Sequence, residues 1–141
     1  MNVLLVEARY HPHITEALAD GATAALEKGG ATFERVAVPG ALEIPAAIAL
    51  AARSGRSFAG FVALGSVVRE SAAHFDIITQ QSAAGLVRLA TDQALCIGNG
   101  IVAADNEEEA LRLAQDGDAG GDAARACLAL ITLRDRLRTL T

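Results

Sequence analysis

Gly60-Phe61-Val62-Ala63-Leu64-Gly65 is the stretch on which the fold turns. Four apolar residues follow one another without a charge between two glycines, a run too short for a helix and without the alternation of a half-exposed strand. Such a run suits a central strand of a parallel sheet, covered on both faces. Toward the N-terminus a second short cluster, Val3 to Val6, reads as another buried strand that leaves the core at Glu7-Ala8-Arg9-Tyr10-His11-Pro12. Between the two, Ile14, Leu18, Ala22, Ala25 and Leu26 recur at helical steps from His13 to Gly29, and Gly29-Gly30 stops the pattern. Thr32 to Val38 reads as a strand, Pro39-Gly40 turns the chain, and a helix is expected from about Leu42 to Arg53.

On the C-terminal side the same reading predicts a polar loop from Ser66 to Phe75 and a helix from Asp76 to about Thr91. A strand region then covers Ala94 to Ile97 and Ile101 to Ala103, interrupted by Gly98-Asn99-Gly100. Asp105 and Asn106, with Glu108 and Glu109 three residues on, carry the marks of a capping box, opening a short helix to about Ala114. A Gly/Asp-rich link, Asp116 to Gly121, and a final helix, Asp122 to Leu137, complete the order. Strands alternating with helices mean βαβ units with right-handed crossovers. The expected fold is α/β, a four-stranded parallel sheet with helices on both faces, in one domain over residues 1–141.

Composition narrows the function. The 141 residues are 52% hydrophobic but only 4% aromatic, enough apolar material for one core. Twelve Lys and Arg stand against 17 Asp and Glu, a formal charge of -5, and Lys28 is the only lysine. That balance speaks against a nucleic-acid partner. No apolar run approaches the ~18 residues of a membrane span. With no basic leader or cleavage pattern at Met1-Asn2-Val3, the expected location is the cytoplasm. Cys96 and Cys127 lack CxxC spacing and read as small buried apolar residues.

Open parallel sheets bind ligands beyond the C-terminal ends of their strands, which directs attention to the loops after Val6, Val38, Leu64 and Ile97. His74, in the loop after the central strand near Arg69 and Ser71, is a candidate general acid or base, because an imidazole exchanges a proton near neutrality; it is equally suited to capping the next helix. Glu43, in Pro39-Gly40-Ala41-Leu42-Glu43-Ile44-Pro45, can accept hydrogen bonds from a polyol or simply oppose a helix dipole. Tyr10 can stack on a planar ligand or cover the core edge. His11 and His13 have no third ligand nearby, so no metal is expected, and Glu107-Glu108-Glu109 reads as a negative first helical turn. Neither GxGxxG nor GxxxxGK[ST] occurs, so nothing points to a nucleotide.

Taken in order, Glu7-Ala8-Arg9-Tyr10, Val38-Pro39-Gly40-Ala41-Leu42-Glu43-Ile44-Pro45, Ala63-Leu64-Gly65-Ser66-Val67-Val68-Arg69, His74-Phe75-Asp76, Gly98-Asn99-Gly100-Ile101 and Gly120-Gly121-Asp122-Ala123-Ala124 resemble the lumazine synthases over nearly the whole chain. The resemblance implies a flavodoxin-like three-layer α/β/α sandwich that assembles as pentamers, in some members twelve of them closing an icosahedral shell of sixty subunits. It implies condensation of 5-amino-6-(D-ribitylamino)uracil with 3,4-dihydroxy-2-butanone 4-phosphate, the penultimate step toward riboflavin, without metal or organic cofactor. By position, Tyr10 would stack on the pyrimidine, Ala41 and Leu42 would offer backbone groups, and Glu43 would bind ribityl hydroxyls. Ser66, Val67 and Val68 would line the pyrimidine pocket, His74 would transfer protons, and Asn99 would reach the site from the adjacent subunit. The first core strand begins at the chain's start, which favours a pentamer over strand exchange in a larger assembly.

Two departures bear on the phosphate. Where relatives have Gly-Glu-Thr or similar after the arginine, this chain has Glu70-Ser71-Ala72, which moves the hydroxyl one position early and leaves the Glu70 carboxylate near the phosphate dianion, an unfavourable neighbour. Relatives carry an Arg where Leu113 stands, beside Arg112, and a Lys where Ala119 stands. Each cation lost removes charge-assisted hydrogen bonds worth about 1.5 to 3 kcal/mol. Ser71, Ala72, Arg112 and Leu113 are thus the candidate phosphate positions, and two readings stay open: a synthase, weakened toward one substrate, or a homo-oligomeric scaffold of the same fold.

Overall fold

The computed structural model describes residues 1–140. Its elements are β1 (Asn2–Ala8), α1 (Pro12–Lys28), β2 (Thr32–Val38), a 3-10 turn (Ala41–Glu43), α2 (Ile44–Ala52), β3 (Gly60–Val68), α3 (Ala72–Gln93), β4 (Ile97–Ala104), α4 (Glu107–Gln115) and α5 (Ala119–Arg138). The four strands pair in parallel in the order β2-β1-β3-β4. The chain therefore builds outward from β1 to one side, then crosses and builds from β3 to the other, so the switch point lies between β1 and β3. That is where an open α/β sheet opens a crevice.

Side chains alternate across the sheet and feed two cores. Val3, Leu5, Val62 and Leu64 point to a layer made by α1, α4 and α5, where Ile14, Leu18, Ala110, Ala124, Cys127 and Ile131 are buried. Leu4, Val6, Phe61 and Ala63 point to a thinner layer with Ile44 and Ile48 of α2 and Leu86 of α3. The three-layer α/β expectation holds. The layers are unequal: in the 22-residue α3 only Ser82 and Leu86 are buried, and Ile77 and Val87 stand exposed.

Four boundaries differ from the sequence reading, the first being the start of the last strand, expected at Ala94 and found at Ile97, because α3 runs on to Gln93 and Ala94 closes it in the left-handed conformation. The polar loop expected from Ser66 to Phe75 shrinks to Arg69–Ser71, because β3 continues through Ser66, Val67 and Val68 by pairing with Val102, Ala103 and Ala104. Gly98-Asn99-Gly100 does not interrupt β4 but pairs with Val62, Ala63 and Leu64. These glycines mark close packing: a Cβ on Gly98 would overlap the Ala123 carbonyl, so α5 lies directly on the strand. The expected Asp116–Gly121 link ends at Asp118, and Gly120 and Gly121 open α5 instead. A Cβ on Gly120 would run into the Leu18 carbonyl, which is how α1 and α5 approach so closely. Asn106 caps α4 as expected, accepting the Glu109 amide at 2.8 Å, while the Glu109 carboxylate accepts the Asp105 amide at 3.2 Å. No described helix is long and apolar enough to cross a membrane.

Candidate active site

The ends of β1, β2 and β3 and the start of α3 enclose a cleft of about 250 Å³ over the switch point. The segment after β1 reaches it first. Arg9 donates its amide to the Val38 carbonyl at 3.0 Å, and the buried Thr15 hydroxyl donates to the Ala8 carbonyl at 2.6 Å. Together these bonds tie the β1–α1 connection to β2 and to α1 itself, so Tyr10 and His11 leave the sheet on a fixed path. Tyr10 is 67% exposed, its ring free on the cleft side of the loop, and it meets the His11 ring edge-on, 4.9 Å between centroids.

Beneath this loop an ion-pair cluster holds β1, β2 and α1 together. Glu7 is buried and receives Arg9 and Arg35, and both arginines also reach Glu16. Hydrogen bonds from Arg9 and then Arg35 hold the Glu16 carboxyl below its usual range. The guanidinium of Arg35 is stabilised in its charged form chiefly by Glu7.

The second wall is the turn after β2. Gly40 is extended and donates no side chain; one there would crowd the Glu43 carboxylate. Ala41, Leu42 and Glu43 make the 3-10 turn, and Pro45 follows in the first turn of α2, where a missing N–H costs nothing. Ala41 is buried, whereas Leu42 and Glu43 are open to the cleft.

The floor comes from β3 and the third wall from α3. Ser66 and Val67 are buried and Val68 partly so, and all three line the cavity. Ser71 caps α3, accepting the His74 amide at 3.4 Å. His74 thus stands in the first helical turn and lines the cleft with Phe75 and Ile78. Arg69 is not among the lining residues. Its guanidinium donates to Asp105 at 3.0 Å and lies 4.2 Å over the Phe75 ring, so the one arginine of the loop is spent on bracing β3 against β4. The charged side chains along the cavity are Glu43 and Glu70, with the two histidines and, among the described residues, no lysine or arginine.

Nine of the sequence candidates converge here: Tyr10, Ala41, Leu42, Glu43, Ser66, Val67, Val68, Ser71 and His74. Four do not line this cleft. Ala72 begins α3 one residue beyond Ser71. Arg112 and Leu113 lie on α4, on the opposite face of the sheet from α3. Asn99 lies on the open edge of the sheet in β4, opposite Ala63. Sequence reasoning met Glu70 only as a departure near the phosphate and gave no site role to Gly40, Phe75, Ile78 and, above all, His11, which it weighed only as half of a metal pair. The structure separates that pair: His11 turns into the cleft, while His13 faces Glu107 of α4 at 3.5 Å. The signal for His11 was its place beside Tyr10 at a strand end.

Comparison with known proteins agrees with this architecture. The family model described as 6,7-dimethyl-8-ribityllumazine synthase matches residues 1–135. The chain is 49% identical to the 6,7-dimethyl-8-ribityllumazine synthase of Sphingopyxis alaskensis, over 96% of each chain. It is 48% identical to 6,7-dimethyl-8-ribityllumazine synthase 1 of Rhizobium meliloti, over 97% of this chain and 94% of that one. Against 6,7-dimethyl-8-ribityllumazine synthase 1 of Mesorhizobium japonicum the identity is 46%, over 96% of this chain and 87% of the relative. With a full-length family match, an all-parallel sheet in the order β2-β1-β3-β4 and a cleft at its switch point, this chain belongs to the 6,7-dimethyl-8-ribityllumazine synthase family.

Proposed function

We propose that this chain condenses 5-amino-6-(D-ribitylamino)uracil with 3,4-dihydroxy-2-butanone 4-phosphate to 6,7-dimethyl-8-ribityllumazine, in the cytoplasm, as a homo-oligomer whose clefts are shared between neighbouring subunits. The observation that carries the reading is the convergence of an exposed aromatic ring, a carboxylate and an imidazole on one cavity floored by the end of β3. Tyr10 stacks on the flat pyrimidine. Backbone groups of Ala41 and Leu42 and of Ser66 to Val68 address its polar edge, and the Glu43 carboxylate accepts hydrogen bonds from ribityl hydroxyls. His74 moves the protons.

The chemistry asks for this arrangement. The pyrimidine's primary amine adds to the ketone carbonyl and water leaves, giving an imine. Phosphate is then eliminated, and the ribitylamino nitrogen closes the second ring with loss of another water. Each step shifts a proton between nitrogen, carbon and oxygen, which a histidine at the reacting end accelerates by roughly 10²- to 10⁴-fold. Holding both reactants in line removes much of the remaining entropy cost.

Shared clefts are supported by Asn99, a substrate-lining candidate on the sheet edge away from its own chain's cavity. They are supported also by the exposed apolar residues Ile77 and Val87 on α3, beside that edge. A pentamer follows from the family's habit. Arg112 and Leu113, at the α4 position, belong to the phosphate end contributed by the neighbour, with Ser71 and Ala72 on the near side. Glu70 on the near side, with no cationic side chain of the same chain among the described lining residues, leaves the neighbour's Arg112 as the one cation of that end, which supports a weakened hold on the phosphate. That same observation favours the second reading, a scaffold that keeps fold and assembly without turnover.

The condensation assay separates the two. Lumazine absorbance should rise faster than in the spontaneous reaction, and His74→Ala should cut kcat by roughly 10²-fold. A rate no faster than the uncatalysed mixture at saturating butanone phosphate would favour the scaffold.

A further inference from the structure

His11 has no part in the roles assigned above, yet its imidazole holds two of the groups they use. Its Nδ1 lies 3.0 Å from the Ser66 hydroxyl, and its ring receives Tyr10 edge-on at an interplanar angle of 86°. Ser66 is only 7% exposed, at the point where the end of β3 begins to floor the cleft. A hydroxyl buried to that degree is costly without a partner, and His11 is the side chain hydrogen-bonded to it. The His11 carbonyl meanwhile accepts the amides of Ile14 and Thr15 at 3.1 Å each, which fixes the residue at the head of α1. One imidazole therefore joins three elements: the head of a helix, the end of the central strand and the exposed ring of Tyr10.

An exposed tyrosine ring samples several rotamers, and a stacking platform that must be ordered by the ligand costs affinity. An edge contact from a ring that is itself pinned to β3 restricts that freedom before the ligand arrives. The same bond sets the direction of the Ser66 hydroxyl beside the backbone groups of Val67 and Val68.

We infer that His11 is a positioning residue for the pyrimidine substrate, acting through Tyr10 and Ser66 rather than on the reacting atoms; the inference rests on the synthase reading of this cleft. Its signature is a loss of binding without a loss of chemistry. His11→Ala should raise KM for 5-amino-6-(D-ribitylamino)uracil roughly five- to tenfold while kcat stays within about twofold. His11→Asn, whose amide can still meet the Ser66 hydroxyl, should recover part of that loss. Ser66→Ala should reproduce the effect, and the double variant should be little worse than either single one, because both remove the same link.

The same variants should weaken binding of the product, 6,7-dimethyl-8-ribityllumazine, followed by its fluorescence on titration. A fall in kcat with unchanged KM, additive single variants, or no change at all would overturn the inference and leave the synthase reading standing. Should His11→Ala fail to fold, Ser66→Ala removes only a hydroxyl and decides the matter alone: an unchanged KM there rejects the link. If the unaltered protein neither turns over nor binds the lumazine, the synthase reading falls and takes this inference with it.

Discussion

Asn99 stands opposite Ala63 in the β3–β4 pairing, on the strand that closes one edge of the sheet. Its side-chain oxygen accepts the Ile101 amide at 2.9 Å, so the residue is held in place without reaching its own chain's cavity. An edge strand carrying a substrate-lining candidate has meaning only if another copy of the chain packs against it.

Subunit mixing tests this directly. His74→Ala and an Asn99 variant too bulky for the cleft, such as Asn99→Arg, should each be nearly inactive alone. When the two are unfolded, mixed in equal amounts and reassembled, random pairing restores about a quarter of the clefts, each combining one subunit's intact His74 with its neighbour's intact Asn99. Activity that stays at the level of the parent variants would show that each chain works alone.

The ion-pair cluster under the Tyr10 loop predicts an acid-sensitive stability. Glu16 has its carboxyl pKa lowered from the ordinary 4.5, first by its hydrogen bond from Arg9 and then by Arg35. A depressed acid stabilises the fold fully above its unfolded value and loses that contribution as pH falls through its folded value. Wild type should therefore shed stability below about pH 4.5, and Arg35→Leu should flatten that part of the profile. At neutral pH the same variant leaves the buried Glu7 short of its main partner, at a cost of about 2 kcal/mol. Urea unfolding across the pH range measures both, and an unchanged acid limb in the variant would reject the cluster as its source.

Cys127 offers a probe of the larger core. Burial, with the Cys96 thiol nearby, pushes its thiol up to about 12, and its Sγ donates to the Cys96 carbonyl at 3.4 Å. The thiolate is the reactive form, so a thiol reagent at pH 8 should leave the fully buried Cys127 unlabelled in the folded protein and label it in urea. Rapid labelling of Cys127 in the folded protein would mean that α5 lifts readily from β4.

How much of this was legible in the sequence depends on what fixed each feature. Phe61 to Leu64 announced a central strand because burial on both faces leaves a purely apolar run. The extension through Ser66 to Val68 was hidden, since a serine in a strand end looks like a loop until its partner strand is known. Gly98 and Gly100 look like a turn for the same reason: what calls for glycine is the α5 backbone against Gly98 and the Ala63 carbonyl and Leu64 side chain of β3 against Gly100, distant in sequence and close in space. Tyr10, Glu43 and His74 were legible as loop residues at strand ends, but their convergence needed the β2-β1-β3-β4 order. His11 escaped because a histidine carries no local pattern that separates a ligand from a brace.

The phosphate end yields the last prediction. Glu70 lines the cleft beside Ser71, and the described lining residues of the same chain supply no lysine or arginine against it, so on the proposed reading the phosphate has at most the neighbour's Arg112 to hold it. A substrate without the phosphate should then lose little. Butane-2,3-dione condenses with the same diamine to the same lumazine, releasing two waters and no phosphate, so one absorbance follows both reactions. The ratio of kcat/KM for the phosphate ester over the dione should be within about tenfold, where two intact charge-assisted bonds would give several hundredfold or more. Ala72→Thr with Leu113→Arg, which restores a hydroxyl and a cation, should lower KM for the ester by roughly ten- to a hundredfold and leave the dione unaffected. An unchanged KM for the ester would mean that the phosphate binds elsewhere, and a parallel gain for the dione would mean that the substitutions act on the cleft's shape rather than on its charge.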